Sequence, residues 1–144
     1  MGLFAAVFVA LFAGHMVGDH LVQTHEIATQ KTDPGLWGWL NMGLHLSGYG
    51  ICQLAALGAV ILLGAPITGL GLAVGMVCSL ATHGFLDRRW PVEWFQRHTG
   101  SAGFIDPELH RSGINGMYLS DQAAHVACLF AAAFLTARLS VGAA

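Results

Sequence analysis

The sequence predicts an all-α, polytopic membrane protein in which four transmembrane helices form a bundle. Of the 144 residues, 55% are hydrophobic and only 10% are charged, whereas a soluble domain carries about 25% charged residues. The apolar residues also collect in stretches that reach the ~20 residues needed for one membrane crossing. We expect a single integral membrane domain over residues 1–144, because a chain of this length has room for one domain at most.

The first span is predicted over residues 2–22. Its beginning is apolar, and no Lys or Arg precedes Lys31. A secretory signal would begin with basic residues and end at a small-residue cleavage site. We therefore interpret this segment as a membrane helix that is retained in the protein.

The second and third spans are predicted to form a helical hairpin. No formally charged residue occurs between Asp33 and Asp87, and this stretch is far longer than one span requires. A Gly-Ala-Pro sequence at 64–66 divides it, and such a combination interrupts helices. We expect helices over about 36–63 and 66–87, with the proline in the first turn, where its missing N–H is harmless.

The last span is predicted over about 115–139. The polar segment before it, residues 88–113, is expected to be a cytoplasmic loop between the third and fourth helices, with a short amphipathic helix at 91–95 on the membrane interface. A second polar segment, residues 23–35, joins the first two spans. Two tryptophans follow that segment, at a level where interfacial aromatic residues are common.

The basic residues predict the orientation of the protein in the membrane. Five of the six lie in the two polar segments, and only Arg138 lies at the opposite side. The five are Lys31, Arg88, Arg89, Arg97 and Arg111. Because cytoplasmic loops carry an excess of Lys and Arg, we expect both polar segments in the cytoplasm and both termini outside.

The ionisable residues within the spans occur in pairs whose members are four residues apart, so that each pair shares a helix face. The pairs are His15 with Asp19, His83 with Asp87, and Asp121 with His125. The second span adds His45. Ionisable groups are costly inside a bilayer, so their presence in a span indicates a functional site by default.

The rise of an α-helix predicts that the histidines lie at one level. Counted along their helices at ~1.5 Å per residue, His45 and His83 are each ~25–28 Å from the hairpin turn. By the same rise, His15 and His125 each lie ~21 Å from the outer face. We expect these four histidines together in the cytoplasmic half of the bundle.

A group of imidazoles and carboxylates suits Zn²⁺, Mn²⁺ or Fe²⁺ better than Mg²⁺ or Cu⁺. The predicted ligands are His15, Asp19, His45, His83, Asp87, Asp121 and His125. They outnumber the three protein ligands of a typical catalytic zinc site. Two arrangements stay open: a second metal ion, or carboxylates that orient the histidines without binding metal.

The same residues resemble an uncharacterised family of small bacterial and phage membrane proteins, catalogued as a domain of unknown function. The matching motifs are His15-Met16-Val17-Gly18-Asp19, Leu21-Val22-Gln23 with Lys31, then His45, His83 to Asp87, and Asp121-Gln122-Ala123-Ala124-His125. The resemblance covers nearly the whole chain and departs at His20, where the family tends to have an aromatic residue. It implies a multi-pass protein of a bacterial or phage-infected inner membrane, and no activity. A looser similarity exists to small membrane-bound metal-dependent hydrolases.

From these observations we predict a membrane-embedded metal-dependent enzyme, with hydrolysis as the expected reaction. One or two divalent transition metal ions (Zn, or Mn or Fe) would lower the pKa of a bound water. Asp19 or Asp121, if not bound to metal, would be the general base. The expected substrate is lipid-like or phosphate-bearing, with its anionic group held by basic side chains at the cytoplasmic interface. The substrate-binding candidates are Gln23, Lys31, Arg88, Arg89 and Gln122.

Three other functions stay open. Intramembrane His and Asp also form relays in ion or proton transporters; the short chain without a visible repeat argues against this, although a homo-oligomer would provide a longer path. One His per helix allows bis-His haem ligation in an electron carrier, but haem needs no acid cluster. A holin-like or structural protein would have no use for the costly polar residues.

The net charge, the cysteines and the other histidines give no indication of a second functional site. The net charge of −2 gives no indication of a nucleic-acid partner. The three cysteines lie in apolar stretches without a CxxC, which indicates packing residues. The histidines outside the pairs, namely His20, His25, His98 and His110, are expected near the interface or in loops.

Overall fold

The computed structural model describes residues 2–110 and 113–141, and the side chains of 109 and 110 are excluded from it. In chain order the α-helices are α1 (Gly2–Val17), α2 (His25–Gln30), α3 (Gly35–Leu62), α4 (Gly69–Leu86), α5 (Trp90–His98), α6 (Pro107–His110) and α7 (Gly116–Val141). A π-helical turn, Gly18–Val22, extends α1, and a 3-10 turn, Ala102–Ile105, precedes α6. Arg111, which entered the orientation prediction, and the side chain of His110 lie outside the described part.

Four helices are long and apolar enough to cross a membrane: Gly2–Val22, Gly35–Leu62, Gly69–Leu86 and Gly116–Val141. No strand occurs in the described residues. The predicted all-α bundle with four spans is therefore confirmed, with boundaries that differ from the predicted ones by a few residues.

The hairpin between α3 and α4 differs from the prediction at its second helix. Gly64 ends α3 with a φ of 91°, a conformation that favours glycine, and the N–H of Ala65 returns to the carbonyl of Val60 at 3.1 Å. The next helix begins at Gly69 because the hydroxyl of Thr68 caps it, accepting a hydrogen bond from the Gly71 N–H. Pro66 lies in the connection, and its predicted place in the first helical turn was wrong.

Close packing of small residues brings the spans together. α1 packs against α3 and α7, and α4 packs against α7 and α3. A Cβ atom on Gly14 would lie only 2.7 Å from the Cα of Gln53, so glycine lets α1 and α3 touch through their backbones, as is common in membrane helices. The buried apolar cluster lies among the four spans and consists of Val7, Ala10, Leu11, Leu57, Met76, Leu129, Ala132 and Ala133.

Both polar segments lie at one end of the bundle. Arg88, directly after α4, donates hydrogen bonds to the carbonyls of Lys31 at 2.7 Å and Thr32 at 3.3 Å, and so ties the segment after α2 to the end of α4. α5 contains the predicted amphipathic stretch 91–95 and packs against α4 and α7. Its exposed Trp94 and Phe95 give this end the aromatic surface expected at a membrane interface.

Candidate metal centre

The centre lies where α1 and α4 end and where α3 and α7 begin, so all four spans contribute to it. His15, His45, His83 and His125 are each at most 2% exposed. The sequence-based prediction that these histidines lie at one level and face one another is confirmed. The carboxylates belong to the same end, since Asp87 follows the last residue of α4 directly.

Four side chains from three of the spans converge on one point, and we call them the four-ligand group: Asp19, His45, His83 and Asp87. The Nε2 atoms of His45 and His83 are 2.8 Å apart. Each lies 3.2 Å from Oδ1 of Asp19. Oδ2 of Asp87 is 2.9 Å from His45 and 3.2 Å from His83. Ligands at ~2.0–2.1 Å from a tetrahedral ion would be about 3.3 Å apart, so these separations match a four-coordinate cation closely.

Hydrogen bonds alone do not account for this convergence. A ring nitrogen that carries a proton donates it in one direction, whereas each Nε2 here has the other ring nitrogen and two carboxylate oxygens within 3.2 Å. Oδ1 of Asp19 is buried and has no hydrogen-bond partner among the described residues. Lone pairs that point at a common centre are the arrangement that binds a metal ion.

A π-helical turn positions Asp19. The N–H of Gln23 bonds to the carbonyl of Gly18 at 3.2 Å, which closes the wider turn between Gly18 and Val22. Such single π turns occur frequently at functional sites. Asp19 lies within this turn and still contacts His15 four residues before it, and nothing in the sequence predicted the turn.

A second group of three ligands adjoins the first, and we call it the three-ligand group: Asp87, Asp121 and His125. Nδ1 of His125 contacts the backbone carbonyl of Asp121 at 2.9 Å and therefore donates the proton of the neutral ring. Nε2 then carries the lone pair and lies 3.8 Å from Oδ1 of Asp87. Asp87 thus belongs to both groups, through different oxygens.

His15 lies outside both groups, although the sequence predicted it as a ligand. Its Nδ1 is 3.5 Å from Oδ2 of Asp19, and its Nε2 lies 3.1 Å from Oε1 of Gln122. The ring stacks on that of His125, with centroids 5.3 Å apart. These contacts make His15 a support for the Asp19 carboxylate, and a direct bond from His15 to a metal stays a prediction.

A buried polar network lies beneath the centre and was missed by the sequence analysis. The ring of Tyr49 stacks on His83, with centroids 3.7 Å apart. Gln53 donates to the Tyr49 hydroxyl at 2.8 Å and accepts from the Ser79 hydroxyl at 2.7 Å. The signal was present, because His45, Tyr49 and Gln53 follow one another at intervals of four residues on one face of α3.

The basic residues near the centre have different roles. Lys31 is 6% exposed, and its ammonium group lies 2.6 Å from Oδ2 of Asp87. Burial opposes the charged form of Asp87, but His45, His83 and Lys31 around its carboxylate hold its pKa well below the usual range. Lys31, predicted as a substrate-binding or interfacial residue, is therefore also a buried counter-ion.

The two consecutive arginines, Arg88 and Arg89, also differ in their surroundings. Arg88 is held by its backbone hydrogen bonds and by the ring of Trp39, 4.8 Å from its guanidinium carbon. Arg89 is exposed, and its guanidinium group makes no hydrogen bond or ion pair within the described residues. Its φ of 63° is unusual for a residue with a side chain. Of these two arginines, Arg89 is therefore the one whose side chain has no partner in the described part of the chain.

A cavity of about 210 Å³ opens beside the centre. It brings together four of the five predicted substrate-binding residues, and Arg88 is the one outside it. The polar side chains that line it are Asp19, His20, Gln23, Lys31, Asp87, Arg89, Tyr118, Asp121 and Gln122. The three carboxylates of the centre therefore line the same cavity as two cationic side chains, Lys31 and Arg89.

The histidines expected outside the centre lie outside it wherever their side chains are described. His20 is exposed, and its ring bonds to the Tyr118 hydroxyl at 2.9 Å at the edge of the cavity. His98 stacks on Trp94 on the surface of α5, with centroids 4.6 Å apart. His25 lies in the first turn of α2 and is exposed.

No family model, curated protein or solved structure matches the chain. The resemblance to the uncharacterised bacterial and phage family stays a prediction. The function is therefore argued from the geometry of the centre.

Proposed function

We propose that the protein is a membrane-embedded metal-dependent hydrolase in which the four-ligand group holds a divalent transition metal ion. The observation that carries the proposal is the convergence of two ring nitrogens and two carboxylate oxygens on one point. The two nitrogens are 2.8 Å apart, and each lies 2.9 to 3.2 Å from both oxygens. Imidazole with carboxylate favours Zn²⁺, Mn²⁺ or Fe²⁺.

The chemistry follows from the charge of such an ion. A bound metal lowers the pKa of a coordinated water towards ~7, so that hydroxide is present at neutral pH. For a phosphate ester, hydroxide forms a new P–O bond, the ester P–O bond breaks, and the leaving alcohol takes a proton. The cavity of about 210 Å³ has room for about seven waters at ~30 Å³ each, which is enough for a phosphoryl group and an attacking water.

The substrate class that we propose is a lipid-like molecule with an anionic, phosphate-bearing head group. Lys31 and the unpaired Arg89 line the same cavity as the carboxylates, so an anion would be attracted to one wall while the metal lies in the other. The centre is at the end of the bundle where Trp37 and Trp90 are more than half exposed. A head group at a membrane interface would reach this level without leaving the bilayer.

Two features favour an enzyme over an ion or proton transporter. Among the described residues, the hydrogen-bonded network of the centre ends at Gln53 and Ser79. Towards the opposite end of the bundle the buried side chains are apolar, as at Leu11, Leu57 and Leu129, or are the hydroxyls of Thr136 and Ser140, which do not ionise. A relay across the membrane needs ionisable groups along its path, and this region would interrupt it.

The haem alternative is disfavoured by the distance between ring nitrogens. Bis-His haem requires the two nitrogens on opposite sides of a porphyrin. The Nε2 atoms of His45 and His83 are 2.8 Å apart. The carboxylates of Asp19 and Asp87 also contact these two nitrogens. A macrocycle would not fit between these rings.

The experiment that tests the proposal measures metal and hydrolysis in one preparation. Protein purified in detergent without chelators should contain Zn, Mn or Fe by elemental analysis, and should release phosphate from phosphatidic acid in mixed micelles. His83→Ala should lose most of the metal and the activity, because it removes a ligand. His98→Ala, on the exposed face of α5, should retain both. Folded wild-type protein that stays metal-free after incubation with these ions would contradict the proposal and favour a proton relay.

A further inference from the structure

We infer that the centre takes a second divalent cation, held by the three-ligand group, with Asp87 bridging the two ions. The inference rests on the proposed function, since it takes the ion of the four-ligand group as the first. The ligands would come from His125, Asp121 and Asp87, and the contact between Nε2 of His125 and Oδ1 of Asp87 points to these two atoms.

His125 carries the argument. Its side chain is 2% exposed, so its ring cannot use bulk water. Because Nδ1 donates to the Asp121 carbonyl at 2.9 Å, Nε2 is left as a buried lone pair, and it has no hydrogen-bond partner among the described residues. A ring nitrogen oriented by a carbonyl behind it is the usual arrangement of a metal-binding histidine.

Asp87 has the geometry of a bridge. Its Oδ2 faces His45 at 2.9 Å and Lys31 at 2.6 Å, whereas its Oδ1 faces Nε2 of His125 at 3.8 Å. The latter distance is too long for a hydrogen bond. It leaves room for an ion that both atoms would hold, since metal bonds of ~2.0–2.1 Å keep neighbouring ligands more than ~3 Å apart.

Asp121 completes the group. Its Oδ1 is buried and has no hydrogen-bond partner among the described residues, and its Oδ2 lies 3.5 Å from Nδ1 of His125. Carboxylates and imidazoles that share one bridging residue are typical of two-metal hydrolytic sites, in which the ions lie ~3.5–4 Å apart. In this arrangement Asp121 would be a ligand, and the two ions would supply the activated water, so that no separate general base would be needed.

The two sites differ in how open they are. The first ion would have four protein ligands and would need a fifth position to bind water, whereas three protein ligands leave the second ion a position for water within four-fold coordination. Asp87 and Asp121 both line the cavity of about 210 Å³. The second ion would therefore meet water and the substrate phosphoryl group.

The charges of the centre predict the order of binding. Asp19, Asp87 and Asp121 with the ammonium of Lys31 leave two negative charges, which one divalent ion neutralises. A second ion leaves the centre with two positive charges, which a phosphate dianion would balance. The second ion should therefore bind more weakly than the first, and inorganic phosphate should strengthen its binding.

The test is a titration of chelator-treated, detergent-purified protein with Mn²⁺, followed by elemental analysis and electron paramagnetic resonance. Wild-type protein should bind two Mn²⁺ per chain, the second more tightly with inorganic phosphate present, and should give the spectrum of a spin-coupled pair. His125→Ala should bind one Mn²⁺ and give the spectrum of an isolated ion. His98→Ala, which changes an exposed histidine on α5 outside the cavity, should behave as wild type.

The outcomes separate this inference from the proposed function. One Mn²⁺ in both wild type and His125→Ala, with or without phosphate, would overturn the second site and leave the first intact. No Mn²⁺ in either protein would overturn both. If His125→Ala does not fold, Asp121→Asn provides the same comparison, because it removes a ligand charge while preserving the size of the side chain.

Discussion

Asp87 is the residue on which the centre depends most. It lies one position beyond the last residue of α4, where the sequence analysis placed it as the partner of His83. Its carboxylate contacts Lys31, His45 and His83 through one oxygen, and His125 approaches the other. A buried carboxylate needs such compensation, because transferring a charge out of water is costly.

The ion pair between Lys31 and Asp87 gives a prediction for stability. Removing one partner of a buried pair costs about 3–5 kcal/mol, since the other charge is left uncompensated. Lys31→Met should therefore lower the free energy of unfolding of metal-free protein by about that amount. Added Zn²⁺ should recover most of the loss, because the ion takes over the charge of Asp87. Thermal unfolding with and without Zn²⁺ measures both effects.

A surface pair provides the control. Arg97 and Glu93 form an ion pair at 2.7 Å, but their side chains are 60% and 46% exposed. Exposed pairs contribute about 0–1 kcal/mol, so Arg97→Gln should change stability little, with or without metal. Equal losses in Lys31→Met and Arg97→Gln would mean that Lys31 is not a buried counter-ion.

The consecutive arginines give a second prediction at this scale. Arg89→Gln should weaken inhibition by inorganic phosphate by about 10- to 100-fold, the equivalent of one charged hydrogen bond, with unfolding unchanged. Arg88→Gln should lower stability, because it removes the hydrogen bonds to the carbonyls of Lys31 and Thr32. Phosphate inhibition and thermal unfolding of both variants distinguish the two roles, and the reverse pattern would exchange them.

At the scale of elements, the contact between α1 and α3 sets the position of His15 and Asp19. Gly14 lies against the backbone of Gln53, so the two helices approach as closely as their main chains allow. Asp19 follows in the π-helical turn, and its Oδ1 lies 3.2 Å from Nε2 of His45. The close approach of α1 and α3 therefore places the Asp19 carboxylate beside a histidine of the neighbouring helix.

Gly14→Ala should therefore separate α1 from α3. A Cβ atom there would be 2.7 Å from the Cα of Gln53, and backbone cannot move aside as a side chain can. Overpacking of this kind costs about 1–3 kcal/mol, and the displaced Asp19 should also reduce metal content. Gly43→Ala is the matched change, because no atom lies within 4 Å of a Cβ at that position. It should be neutral or stabilise α3 by up to ~1 kcal/mol.

Elemental analysis and thermal unfolding of the two glycine variants test this prediction. If Gly14→Ala retains full metal and stability, the contact between α1 and α3 does not control the geometry of the centre.

At the scale of the whole molecule, the protein has one polar end and one apolar end. Lys31, Arg88, Arg89 and Arg97 all belong to the end that holds the candidate metal centre. The hairpin turn at Gly64 belongs to the other end, beyond the apolar cluster. This asymmetry relates the location of the site to the orientation of the protein in the membrane.

The orientation can be measured with reporter fusions. Because basic residues favour the cytoplasmic side, a reporter inserted near Gly100 should be cytoplasmic. One fused after Ala144, which lies outside the described residues, should be on the outer side. A Gly100 reporter found outside would invert the orientation and move the proposed site to the opposite face of the membrane.

The sequence by itself determined the number of spans, the end of the bundle that carries the polar residues, and most members of the centre. These features are local: the length of an apolar stretch decides whether it crosses a bilayer, and a spacing of four residues places His83 and Asp87 on one face whatever they pack against. The common level of the histidines follows from the same helical rise.

Only the tertiary structure decided which atoms meet. Lys31 and Asp87 are 56 residues apart in the chain, and no spacing rule relates them. The rotation of each helix, set by close contacts such as that of Gly14, turned His15 towards Gln122 and left His45 and His83 facing each other. Arg88 and Arg89 are identical in chemistry and adjacent in sequence, and only the surrounding backbone carbonyls separate a structural arginine from a free one. Which side chains come into contact depends on packing between segments that are distant in the sequence, and local periodicity does not encode that packing.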